Sequence, residues 1–156
     1  MSMAQRSPEL PDGVNQLSKR VIGCAIEVHR QLGPGLLERL YEEALLYELN
    51  AAGIGTERQV AVPVRYKSAV LQGQRLDLLV EGMIVLELKA IESVSDVHLA
   101  QLVTYLRVAE LPLGILSNFN VPLLTQGVYR RINSHALPPK SASASSASPL
   151  RPLRST

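Results

Sequence analysis

Apolar residues fall at two different spacings along the chain, and the change from one to the other divides it into elements. Val14, Leu17, Val21, Cys24, Ala25, Val28 and Leu32 recur at steps of three, four and one, which draws one apolar stripe along a helix. Gly33-Pro34-Gly35 ends that helix. A second is expected from about Leu37 to Ala52, with Tyr41, Ala44, Leu45 and Leu49 on one face and Gly53 as its C-terminal cap. Between Glu57 and Tyr66 the spacing becomes two, with Val60, Val62 and Val64 alternating as in a strand, and Pro63 marks an edge or a bulge. LDLLV (76–80) and MIVLELKAI (83–91) then read as a hairpin covered on both faces. Asp96 is expected to cap a helix reaching about Glu110, with Leu99, Leu102, Val103 and Leu106 inward. LGILSNF (113–119) reads as a further buried strand and GVYRRI (127–132) as a shorter, more exposed one. The order ααβββαββ predicts an α/β fold with a mixed sheet.

The hairpin departs from its own pattern at three places. Asp77, Glu87 and Lys89 are charged residues inside apolar strands, where a charge persists only if paired, neutralised or coordinated. Glu87 and Lys89 are two apart and leave the same face of their strand. Asp77 joins them only if the turn has odd length. A two-residue loop at Glu81-Gly82 pairs Val80 with Met83 and turns Asp77 away. A three-residue loop, Val80-Glu81-Gly82 with Gly82 left-handed, pairs Leu79 with Met83 and puts all three on one face. The odd loop is the expectation.

Two carboxylates on one face make a hard, oxygen-rich site suited to Mg²⁺ or Mn²⁺. Lys89 beside them can serve a water as base or stabilise developing charge. An isolated E-x-K triplet more often makes a buried ion pair. Glu38 falls in the first turn of the second helix, where the helix dipole favours a carboxylate whatever its role. Gln101 and Tyr105, four apart on the third helix, would by themselves pass for an ordinary polar pair.

Composition narrows the partners. The pI is 8.9, yet Lys140, Arg151 and Arg154 sit in the tail with no acid, leaving 13 bases against 14 acids in residues 1–137. A broadly basic face, the usual footprint of nucleic-acid binding, is therefore not written into the composition. The single cysteine, Cys24, excludes a disulfide framework and a multi-cysteine zinc site. His29, His98 and His135 lie on separate elements without ligand spacing, and Arg130-Arg131 with the tail's bases are candidates for phosphate contacts. There is no internal repeat. Neither a leader pattern nor a run of about 18 apolar residues is present, so a soluble, cytoplasmic protein with no membrane partner is expected. Residues 14–136 are expected to fold, between disordered flanks at 1–13 and 137–156, the latter a Ser/Ala/Pro-rich tract.

Taken together, Gly35, Glu38 and Tyr41 resemble the signature of the GxxExxY family of PD-(D/E)XK nuclease-like proteins. YEEALLYEL (41–49), Gln59, LDLLV, VLELKA (85–90), AQLVTYL (100–106) and LGILSNF look like further family blocks in the same order. Ser117 departs from the aliphatic or small residue often found before Asn118-Phe119. The resemblance implies a three-layer restriction-endonuclease-like core, a mixed central sheet flanked by helices. It implies Asp77 and Glu87 as metal ligands, Lys89 as the catalytic lysine, Glu38 as an added acid, and Gln101 with Tyr105 as a QxxxY motif. The function so implied is Mg²⁺-dependent phosphodiester hydrolysis, with Mn²⁺ as substitute and DNA favoured over RNA. A catalytically silent fold that binds nucleic acid or a protein, and a homodimer, are the alternatives it leaves.

Overall fold

The computed structural model describes residues 9–137. Residues 138–156 of the tail expected at 137–156 and the first eight residues of the flank expected at 1–13 lie outside the described residues, while Leu137, expected in the tail, packs against the core. Helix α1 (Asp12–Leu32) starts two residues ahead of Val14, and Leu10 before it is already in the core, so the folded unit begins earlier than the periodicity indicates. Helix α2 (Glu38–Ala51) ends at Gly53, whose φ of +72° is the left-handed turn that glycine adopts without a Cβ penalty; Ile54 N donates back to Leu49 O.

Five strands form one sheet in the order β1-β4-β5-β6-β7: β1 (Thr56–Ala61), β4 (Arg75–Val80), β5 (Ile84–Lys89), β6 (Leu113–Asn118) and β7 (Val128–Ile132). All pairs are antiparallel except β5–β6, the parallel pair bridged by helix α3 (Asp96–Ala109). The strand expected over 57–66 is broken at Val62-Pro63. Beyond the break, β2 (Val64–Tyr66) and β3 (Ala69–Leu71) pair with each other in a separate two-stranded ribbon.

Each face of the sheet has its own helical cover, which gives three layers. Val14, Val21, Ala25 and Val28 of α1 and Tyr41, Leu45 and Leu49 of α2 pack with Leu78, Val80, Ile84, Leu86, Leu88, Leu113 and Ile115. On the opposite face Leu102 and Leu106 of α3 meet Val85 and Leu116. That second contact is close. A Cβ at Gly114 would lie 2.7 Å from Leu102 Cδ1, so β6 presents a bare backbone where α3 lands. Val103, expected inward, is 44% exposed because the face of α3 turned to the sheet is the one that carries Leu102 and Leu106. The cap of α3 is Ser95 rather than Asp96, in a capping box closed by His98. Among the described residues no helix is long and apolar enough to cross a membrane.

Candidate metal centre

The hairpin register decides whether the three charged side chains meet. Val80 pairs with Ile84, Leu79 with Val85 and Leu78 with Leu86. The loop is thus Glu81-Gly82-Met83, three residues as expected, but shifted one position from the expected pairing of Leu79 with Met83. Glu81 and Gly82 both take positive φ, and Glu81 holds Gly55 at both ends: its N donates to Gly55 O at 2.8 Å, and its Oε1 accepts from Gly55 N at 2.5 Å. Odd length preserves parity, so Asp77 stands opposite Glu87 with Lys89 on the same side.

Regular pairing lapses around Asp77 on both flanks. On one side Gln59 adopts a φ of +48° between the Arg58–Leu78 and Val60–Leu76 pairs, a strained conformation for a residue with a Cβ. On the other, the carboxylates replace the backbone ladder. Asp77 N donates to Glu87 Oε1 at 3.3 Å, and Leu88 N donates to Asp77 Oδ2 at 3.1 Å. Glu87 is buried at 7% exposure, Asp77 and Lys89 half-buried. Burial, then the Asp77 charge and the hydrogen bond to its side chain, push the Glu87 carboxyl up to about 8, against weaker lowering by the backbone of Asp77 and by Lys89. The Glu87 carboxyl is therefore held largely in its protonated form at neutral pH.

Glu38 opens α2 at the same end of the sheet. Its residue surface is exposed, but its carboxyl is crowded on the inner side, and this desolvation raises its pKa; Lys89 opposes the rise while Asp77 and Glu42 add to it. The loop before it is fixed by Tyr41, which is fully buried. The Tyr41 hydroxyl donates to Gly33 O at 2.5 Å and accepts from Leu36 N at 3.1 Å, and Gly35 between them has a φ of +102°. The Tyr41 ring stacks on Phe119 at 4.5 Å. Phe119 N in turn donates to Lys89 O at 2.8 Å. Buried Asn118 ties down the residues that follow: its Oδ1 accepts from Ile91 N and Asn120 N, and its Nδ2 donates to Ile91 O. One contiguous set of contacts thus runs from the Glu38 turn to the end of β5.

Lys89 makes no direct ion pair among the described residues, so the buried salt bridge an E-x-K triplet often makes is absent. Gln101 is exposed and Tyr105 half-buried on α3, the latter packed beside Leu102 and Leu106. No hydrogen bond joins either to the acidic pair. His29 Nε2 bonds Val121 O at 2.8 Å, and His98 closes the α3 cap, so both have structural work. Asn118 and Phe119 are the site residues that periodicity does not reveal; a buried amide at a strand end, directly before the chain's one phenylalanine, is the signal available.

Among the described residues no three His, Cys, Asp or Glu side chains converge to hold a metal. The pair Asp77 and Glu87 still fits a hard divalent cation, which would relieve their repulsion and take water or phosphate for its remaining positions. An acidic pair at an opened hairpin, beside a lysine that makes no ion pair among the described residues, is a donor set on which metal-assisted hydrolysis can be built. The family model of the PD-(D/E)XK nuclease superfamily matches residues 15–132, a span that contains all of these side chains, and the chain belongs to that superfamily. Comparison with curated proteins and with solved structures gives no match.

Proposed function

We propose that the protein is a Mg²⁺-dependent nuclease of the GxxExxY branch that hydrolyses phosphodiester bonds in DNA. The observation that carries the reading is the meeting of Asp77 and Glu87 across the opened hairpin, with Lys89 on the same face and in no ion pair among the described residues. Asp77 and Glu87 would hold Mg²⁺ or Mn²⁺, which when bound polarises the phosphodiester and acidifies water. Lys89 takes the proton from the water that attacks phosphorus in line, or holds a non-bridging oxygen as charge builds on it. Glu38 sets a carboxyl within electrostatic reach of the Lys89 amine. Gln101 and Tyr105 offer donors along α3 to orient the strand.

The test is cleavage of single-stranded, double-stranded and branched DNA and RNA by purified protein with Mg²⁺ or Mn²⁺, wild type beside Lys89→Ala. Cleavage of DNA by the wild type, lost in a variant with unchanged circular dichroism, is expected. Equal cleavage by both would overturn the assignment. The near-balance of charge over residues 1–137 favours one other reading, a silent fold that binds without cutting. Heat of Mn²⁺ binding that disappears in Asp77→Asn decides against it.

A further inference from the structure

We infer that the β2–β3 ribbon is an arm that grips a single DNA strand and leads it to the acidic pair. The inference rests on the nuclease reading and supplies the basic surface that the overall charge balance lacks. Residues 58–76 contain Arg58, Arg65, Lys67 and Arg75 and no acid. Arg58 is engaged by Glu42 at 3.2 Å, but among the described residues Arg65 and Lys67 have no carboxylate partner. Phosphates are the groups such free cations recognise.

The ribbon's own packing gives no reason for its composition. Among the described residues its strands pair only with each other, through Val64–Leu71, Arg65–Val70 and Tyr66–Ala69, and every strand residue but Val64 is exposed. Tyr66 is 59% exposed, and the Lys67 amine lies 5.4 Å from its ring centre. An exposed ring flanked by cations is a stacking platform for an unpaired base, which a duplex does not offer. Single-stranded nucleic acid is therefore the occupant the chemistry selects.

The ribbon's root directs such a strand. Ala61 pairs with Arg75, two residues before Asp77, so the arm leaves the sheet at the end where β4 begins and β5 ends. A groove of about 790 Å³ runs between the arm and the end of α3, with Arg65 on one wall and Arg107 beside Glu110 on the other. Leu76 and Leu79 of β4 and Gly82 of the hairpin turn also line it, beside the strand that carries Asp77. A second copy docked arm to arm would set like charges against each other, which disfavours a self-association role.

Anisotropy of a fluorescein-labelled oligothymidylate, and of a duplex of equal length, measured in EDTA across a salt series tests the arm without cleavage. The wild type is expected to bind the single strand more tightly. Arg65→Ala/Lys67→Ala flattens the slope of log K against log salt by about 1.4, roughly 0.7 for each lost phosphate contact. Tyr66→Ala weakens binding roughly tenfold with the slope unchanged, and Tyr66→Phe restores it. Wild-type affinity and slope in the double variant would overturn the inference. So would equal duplex binding with Tyr66→Ala silent, or a change in sedimentation alone, which would make the ribbon a protein interface. Parallel Mg²⁺ cleavage separates the two claims: ribbon variants that bind like a cleaving wild type remove the arm only. Cleavage that survives Lys89→Ala removes the nuclease assignment and leaves strand binding to stand.

Discussion

Asp77 and Glu87 face each other on β4 and β5, and each carboxylate accepts a backbone amide of the facing strand, Asp77 from Leu88 N and Glu87 from Asp77 N. The groups suited to a cation are also the groups that close the sheet where its ladder lapses. Chemistry and folding therefore draw on the same two side chains, with opposite demands on their charge.

The first prediction concerns stability against pH. Glu87 titrates near its ordinary 4.5 when unfolded and at about 8 when folded. Below 4.5 both states hold the proton; between 4.5 and about 8 only the folded state does, so stability falls as pH rises through this window and levels off above it. The loss is on the order of a few kcal/mol. Glu87→Gln keeps the neutral, hydrogen-bonding form, so urea denaturation in EDTA should show it more stable than wild type at pH 9 and nearly equal at pH 4.5. Parallel pH profiles for the two proteins would contradict this.

Cation binding should expel the Glu87 proton. With Glu87 at about 8, the metal-free site is largely protonated at pH 7. Mn²⁺ titration calorimetry at pH 7 in two buffers of different ionisation heat should report release of about one proton per site. Apparent affinity should climb with pH until about 8. Buffer-independent heats would show that Glu87 does not ligate.

Tyr41→Phe isolates the hydroxyl from the ring. The stack on Phe119 remains, while Gly33 O and Leu36 N lose their partner. A cost of about 1–2 kcal/mol is expected in thermal or chemical denaturation. Because the freed loop carries Glu38, the cleavage rate should fall while DNA affinity stays near wild type. An affinity loss with rate intact would place the loop in binding instead.

Ser117→Ala should stabilise. Ser117 is 1% exposed and its hydroxyl has no hydrogen-bond partner among the described residues, an unsatisfied group that costs about 1–3 kcal/mol. Its removal is expected to raise stability by about 1 kcal/mol without altering cleavage. Destabilisation would show that the hydroxyl has a partner in solution.

Parity made the acidic pair legible in the sequence, because period-two strands leave few ways to bring Asp77, Glu87 and Lys89 together. The exact turn was less legible. It recruits Glu81 into a left-handed conformation, and the bonds that support it come from Gly55, 26 residues away in sequence. The separate ribbon was hidden for a related reason: its Lys67-Ser68 turn carries none of the residues that usually signal positive φ, although Lys67 sits at +53°. Val103 looked inward on periodicity, but the narrow landing of α3 at Gly114 leaves it outside. Gln101 and Tyr105 came from the family resemblance, and their distance from the acids is fixed by tertiary packing that no local pattern encodes.

Phe119, the chain's single phenylalanine, bonds through its backbone to Lys89 and through its ring to Tyr41. Trimming this one ring would consequently free Lys89 and Glu38 at once, turning two local defects into a single failure of alignment.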